Sequence, residues 1–587
     1  MRVHFELTLC LIVLSTGYLA AAQGGTRSPI RTPAGTRSRT SYGMATTQPP
    51  IISKAHHADE EHDVAFKSQT VLVQIPVVVT DKSGAHVQGL TKLDFEVQED
   101  KKEQKIASFE EVQASHTPLD IPSRNTGEFR NLAGQDGSAR GVVLVALDTV
   151  NTPFLDQAYG RKQLIKYLSD NLNAGQILGL VAITGKGLKV LHDFSSDSAS
   201  LIEALNKVRG ELPALQGVDI DAQALAAASD LSAPLEVGFG GMTSPADAVE
   251  SFVLYGDAAL VRIQQDRAIE ITMRSFLNIA RSLAGIPGRK SLIWATGSFP
   301  FYIDSPAAVP AAYLAPLYEE AMQALGDAQI SVYPVDVRGL MNYSPAADAN
   351  YRGSRFSTAL AGRTWLQSAS IDTLRELAEM TGGRAFYNSN DIAAGYKRAV
   401  QDSASYYLVG YYLDTKNAKP GWRKLKVKVD RAGAEVRARS GFFVTNTTMN
   451  PDANRKTDID AALVSPFEST GVPVDIRWGQ TTADGDKKKI EFFVHVPANG
   501  VTIEHGAKNT FGLEFVSVAV QNDKVADTIS QTVEGEMRPE MMSQVQSGGL
   551  SYHNALKLPP GRYNVHFVVR DNLKGAVGSV NVPLTVN

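Results

Sequence analysis

After Gly141 the chain reads Val142-Val143-Leu144-Val145-Ala146-Leu147, apolar at every position, and then Asp148-Thr149-Val150-Asn151-Thr152. A strand with one wet face alternates apolar and polar residues. A run without alternation predicts a parallel strand buried on both faces, with Asp148 at the carboxyl end, where open α/β sheets bind ligands. Helical periodicity follows over 154–172. Further strand-like runs at 177–183, 188–194, 290–295, 330–335 and 384–387 alternate with helical patterns at 198–208, 260–283, 311–325, 371–380 and 392–403. This order predicts a doubly wound, mostly parallel sheet over 140–444. Residues 210–256, rich in Ala, Gly and Ser, read as an insertion in it.

Elsewhere the pattern has the two-residue period of half-buried strands. Runs at 71–80, 95–99 and 104–109 predict a small β module over 67–115. Tyrosine-rich 405–443 predicts an antiparallel β extension closing the α/β domain. Runs at 489–496, 511–521, 525–533, 551–558, 562–570 and 578–586 predict a β-sandwich over 459–587, and Leu558-Pro559-Pro560-Gly561-Arg562-Tyr563 is similar to the tyrosine corner of immunoglobulin-like domains, whose hydroxyl bonds back to nearby backbone. Polar stretches at 23–66, 116–139 and 445–458 read as linkers. The expected fold class is therefore multidomain α/β plus β, a doubly wound sheet flanked by small β modules.

Composition narrows the choices. With 587 residues, 43% of them hydrophobic, the chain needs more than one core. A formal net charge of −4 with dispersed basic residues gives no footprint for nucleic acid. Arg2, the apolar run 7–19 and Ala20-Ala21-Ala22 read as an export signal over 1–22, cleaved near Ala22. The single cysteine, Cys10, lies inside it, so thiol chemistry is not expected of the mature chain. No later stretch has the roughly 18 apolar residues of a spanning helix. The expected location is periplasmic, secreted or cell-surface.

Candidate chemistry gathers at the strand ends: Asp148, Asn151 and Thr152, then Ser298, Asp336 and Arg338. His56-His57-Ala58-Asp59-Glu60-Glu61-His62-Asp63 could bind a transition metal, but no rigid element fixes it, and a solvated linker is the simpler reading. No Gly-x-Ser-x-Gly elbow, phosphate loop, His-Glu-x-x-His or dinucleotide fingerprint is seen. His192, beside Asp193, reads as an ordinary strand residue.

Residues 140–444 resemble a von Willebrand factor A-type domain. More specifically, Val77-Val78-Val79-Thr80-Asp81-Lys82-Ser83-Gly84, Gly89-Leu90-Thr91-Lys92-Leu93-Asp94-Phe95-Glu96-Val97, Leu147-Asp148 and Arg437-Ala438-Arg439-Ser440-Gly441-Phe442 resemble the bacterial VWFA-related family described mostly from acidobacteria. The resemblance implies a metal-ion-dependent adhesion site: Asp-x-Ser-x-Ser after the first strand, a Thr from a second loop and an Asp after a later strand, holding a divalent cation that takes a partner's carboxylate. Here Asp148 and Thr152 match, Val150 replaces a ligand, and Gly297 of Ala295-Thr296-Gly297-Ser298 stands where the later Asp would be. The second-loop Thr falls in the insertion, with Thr243 as a guess. Mg²⁺ demands more oxygen ligands than this, so a degenerate site is expected, with no cofactor beyond weakly bound Mg²⁺ or Ca²⁺.

Three functions remain open on the sequence. The first is an exported, non-enzymatic adhesion-type protein that binds other proteins through the carboxyl-end face. The second is an envelope-assembly factor binding through its β-sandwich. The third is a hydrolase using strand-end carboxylates.

Overall fold

The computed structural model describes residues 70–113, 128–131, 141–171, 177–210, 245–297, 299, 312–340, 370–402, 404–414, 421–444, 451–504 and 508–587. The signal, the 23–66 linker with its histidines, Thr243 and Ser298 lie outside them. Four strands come first: β1 (Thr70–Thr80), β2 (Phe95–Glu99), β3 (Lys102–Gln104) and β4 (Ile106–Gln113); a short β5 (Glu128–Arg130) follows. The central region comprises β6 (Val142–Asp148), α1 (Phe154–Asn171), β7 (Ile177–Thr184), β8 (Gly187–Ser195), α2 (Ser198–Lys207), α3 (Pro245–Leu283), β9 (Lys290–Thr296), α4 (Ala315–Asp327), β10 (Ile330–Asp336), α5 over 370–381 and α6 (Ile392–Gln401). Then come β11 (Ser405–Asp414), β12 (Gly421–Val429), β13 (Glu435–Arg437) and β14 (Gly441–Val444), α7 (Pro451–Val464), β15 (Asp475–Asp484), β16 (Lys487–Val496), β17 (Thr510–Gln521), β18 (Lys524–Glu536), α8 (Pro539–Gly548), β19 (Leu550–Leu558), β20 (Gly561–Asp571) and β21 (Val577–Val586).

The central sheet has the order β10-β9-β6-β7-β8, with β10, β9, β6 and β7 parallel and β8 antiparallel on one edge. All of β6 is buried. Val142, Leu144 and Ala146 pack with Met273, Phe276 and Ala280 of α3 and with α4 and α5; Val143, Val145 and Leu147 pack with Leu164, Tyr167 and Leu168 of α1, with α2 and with α6. Two apolar faces need two apolar parities, which is why β6 lacks alternation. Fully burying a Val or Leu contributes about 1.5–3 kcal/mol, so this strand carries a large share of the domain's cohesion. Among the described residues the other four sheets are antiparallel, and the protein as a whole is mixed α/β with strands predominating.

Several expected boundaries change. Stretches 67–115 and 405–443 are not separate: β13-β1-β11-β4 and β14-β12-β2-β3 form two interleaved sheets around one core of Ile75, Val77, Phe95, Val97, Tyr407 and Val409. Tyr407 pins the module, donating to the Val87 carbonyl (2.7 Å) and accepting from the Leu90 amide (3.1 Å). The hydrophobic pattern records which residues are buried and says nothing of which distant strand pairs with them. The linker assigned to 116–139 contains β5, which adds an edge to β19-β16-β15. The linker assigned to 445–458 contains the start of α7. The part of the insertion from 245 to 256 is the beginning of α3, and the expected strand at 384–387 is a single parallel bridge, Phe386 to Val335. The C-terminal sandwich matches its expected strands and adds β15; Tyr563 donates to the Pro559 carbonyl at 2.9 Å, closing the corner.

Both β modules attach at the amino end of the central sheet. There Arg289, 1% exposed, donates to the carbonyls of Asp402 (2.6 Å) and Gly382 (2.8 Å) and to the Tyr333 hydroxyl (2.8 Å), while Asp402 pairs with Arg437 of β13 at 2.8 Å. On the sandwich side, Thr470 donates to the Ser282 carbonyl (2.6 Å) and accepts from the Gly285 amide (2.9 Å). A Cβ at Gly285 would lie 1.6 Å from the Thr470 carbonyl oxygen, so glycine is required for this approach.

Candidate functional site

The carboxyl end of β6 runs into Thr149–Pro153 and then α1. Asp148, 2% exposed, accepts five hydrogen bonds: Val150 and Asn151 amides to Oδ1 (both 3.0 Å), and Asn151 Nδ2 (2.7 Å), Trp294 Nε1 (3.0 Å) and Thr296 Oγ1 (2.9 Å) to Oδ2. Burial pushes this carboxyl above its ordinary value, while the bonds from Asn151, Thr296 and Trp294 pull it back. Asp148 follows the parity of Ala146, facing α3, and Asn151 also donates to Thr272 Oγ1 of α3 at 3.0 Å. One carboxylate thus ties together β6, β9 and, through Asn151, α3.

The loop is equally committed. Thr149 bonds through both its amide (2.9 Å) and its hydroxyl (3.0 Å) to the Ile183 carbonyl. Thr152 Oγ1 accepts from the Gly297 amide at 2.9 Å, and Gln157 Nε2 donates to the carbonyls of Thr149 (3.2 Å) and Thr152 (2.9 Å). A Cβ at Gly297 would stand 2.8 Å from Pro153 Cδ and 3.0 Å from Thr152 Cα.

A divalent cation is the group that the resemblance implies, and these residues do not fit it. Both oxygens of Asp148 face hydrogen-bond donors, the Thr152 hydroxyl oxygen is taken by a backbone amide, and the position of the missing acid is packed against the loop. Hard cations need several oxygens turned toward one point; here N–H and O–H groups converge on the carboxylate instead. Among the described residues no cluster of three or more His, Cys, Asp or Glu is placed to hold a metal.

Asp336, also 2% exposed, ends β10 and forms a separate unit. Arg338 grips it with Nε (2.9 Å) and Nη2 (2.6 Å), and the Arg338 amide adds a third bond at 3.0 Å. Asp336 lies opposite Thr296 in the sheet, so Thr296 stands between the two carboxylates. Asp156, half-buried on α1, feels Arg338 and Asp336 in opposite senses, with its own burial raising its pKa. Of the expected site residues, Asp148, Asn151 and Thr152 come together, and Asp336 pairs with Arg338 nearby. His192 is a strand residue whose Nδ1 lies 2.7 Å from the Asp193 carbonyl oxygen.

On the α1 side of the same strand ends a cleft of about 220 Å³ opens between Leu147, Phe154, Ala158, Val208, Ala295 and Val337, with Thr149, Thr152, Gln157 and Arg161 supplying polar atoms. Asp148 and Thr152 border it; Asn151, Asp336 and Arg338 do not. Sequence reasoning missed Arg161, Trp294, Thr296 and Thr272. Trp294 and Thr296 sit at alternate positions of β9 with Asp148's facing, a signal that only the β6–β9 pairing makes legible.

Comparison with protein-family models gives no match, and comparison with curated proteins gives none either.

Proposed function

We propose that the chain is an exported, non-enzymatic binding protein whose central region is a doubly wound, von Willebrand A-type domain that takes a protein partner on its carboxyl-end face without a metal ion. The observation that carries this reading is the asymmetry of the sheet: both β modules occupy its amino end, while the carboxyl end presents the cleft lined by Phe154 (47% exposed), with Leu155 (80%) next to it in the chain. Exposed apolar side chains grouped around a concavity are a common mark of protein recognition. The strand order β10-β9-β6-β7-β8 and helices on both faces support the domain assignment. Against a carboxylate-based hydrolase stands the engagement of Asp148 by five donors and of Asp336 by Arg338, which leaves neither as a free base or nucleophile. Among the described residues no helix is long and apolar enough to cross a membrane.

The test is cross-linked partner capture by the full chain, by a Phe154→Asp/Leu155→Asp double variant and by Val525→Asp on the outer strand of the sandwich. Capture lost only in the double variant supports the reading. Loss only in Val525→Asp would move binding to the sandwich and overturn it.

A further inference from the structure

The cleft has one unspent charge. Arg161 lies on α1 at its wall, half-buried, and its one polar contact among the described residues is from Nη1 to the Val208 carbonyl. No carboxylate pairs with it among them: Asp148 is held by its own donors, and Asp336 is held by Arg338. The rest of the guanidinium therefore offers donors beside the apolar side chains of Phe154, Val208 and Val337 in the lining. A half-buried cation in an apolar wall attracts an anion more strongly than one in open water, because solvent screens it less.

Resting on the binding-protein reading above, we propose that Arg161 is the anion receptor of this cleft, and that its ligand is a partner segment presenting an Asp or Glu next to a bulky aliphatic or aromatic residue. The apolar side chain fills the space between Phe154, Val208 and Val337, and the carboxylate meets Arg161 in a two-pronged contact. Size selects a side-chain pair over a whole small molecule, since about 220 Å³ is below the ~300–1,000 Å³ of typical small-ligand pockets. The exposed rim of Phe154 and Leu155 selects a segment of a larger partner, because a free acid inside the cleft would leave that rim uncovered.

The experiment pans a displayed random-peptide library on the full chain, on Arg161→Glu and on Arg161→Lys, with thermal unfolding confirming that each variant is folded; Arg161→Met replaces Arg161→Glu if the latter is not. The expected result is enrichment of peptides with an acid adjacent to a large apolar residue. Synthetic copies of those peptides then bind Arg161→Glu or Arg161→Met at least about tenfold more weakly, and Arg161→Lys to an intermediate degree with the acid still preferred. Enriched peptides that lack acids and ignore Arg161 but are lost in Phe154→Asp/Leu155→Asp would overturn this inference and leave the face assignment standing. Competition by hexanoate as effective as by the peptide would assign the charge to a small carboxylic acid and overturn the peptide source. No enrichment on the wild-type chain also overturns it, and the partner capture described above then judges the binding face separately.

Discussion

At the amino end of the central sheet the two terminal nitrogens of Arg289 donate to carbonyls just after α5 and α6 and to a hydroxyl of β10, and Asp402 is shared with Arg437 of the neighbouring module. At the carboxyl end Asp148 collects donors from its own loop and from β9, and α3 joins through Asn151, all of them parts of the central domain. Both are buried, hydrogen-bonded charges, yet one fastens domains to each other and the other closes a single domain on itself. A buried charge is tolerated only when its partners are complete. Completing Asp148 internally leaves its neighbourhood, the cleft at Arg161, free to meet something else.

The largest effect should come from removing the charge that closes the carboxyl end. Asp148→Ala leaves the Trp294 indole N–H and the Thr296 hydroxyl without their acceptor in a dry site, and should cost about 3–5 kcal/mol in urea unfolding. A cost below about 1 kcal/mol would mean that water replaces the carboxylate and that the end is open. Next, Gly297→Asp supplies the acid that the resemblance would place there but drives a Cβ into Pro153 and Thr152. The expected cost is about 1–3 kcal/mol, with no stabilisation by added Mg²⁺.

The amino end supplies a pH test. Burial lowers the Lys290 ammonium from its ordinary 10.5 to about 7. Its folded form therefore binds fewer protons than the unfolded chain between those values, so this residue's contribution to stability rises with pH from about 7 to about 10.5 and is lost as pH falls through 7. Lys290→Met should remove that slope in a difference between the two stability–pH curves; identical slopes would show a solvated ammonium. The smallest stability effect belongs to Phe154→Asp/Leu155→Asp, within about 0.5 kcal/mol of wild type, although it should abolish partner capture. A large loss of stability there would show those side chains to be part of the core.

Much of the fold was legible because burial leaves a periodic trace. The unbroken run of β6 reads as a strand buried on both faces and the alternation in β16 as one buried on a single face, as the structure has them. Pairing left no such trace: nothing in the pattern of β1, β2 and β4 states that they pair with strands from residue 405 onward, and β5 is too short to show a period. At the site, Asp148 was legible as the acid that ends an apolar run, and Thr152 and Gly297 were singled out only through the resemblance. The donors that surround Asp148 were not legible, since Trp294 and Thr296 read as ordinary strand residues until β9 is placed beside β6.

The most direct measurement is thermal unfolding of the wild-type chain and of Asp148→Asn across a series of Mg²⁺, Ca²⁺ and Mn²⁺ concentrations. An ion present at 100 times its dissociation constant stabilises a folded site by about 2.7 kcal/mol, a shift easily seen. The expected result is a wild-type transition that does not move with any of the three ions. A transition that rises with one of them in the wild type and stays fixed in Asp148→Asn would contradict the closed carboxyl end and restore a working cation site there.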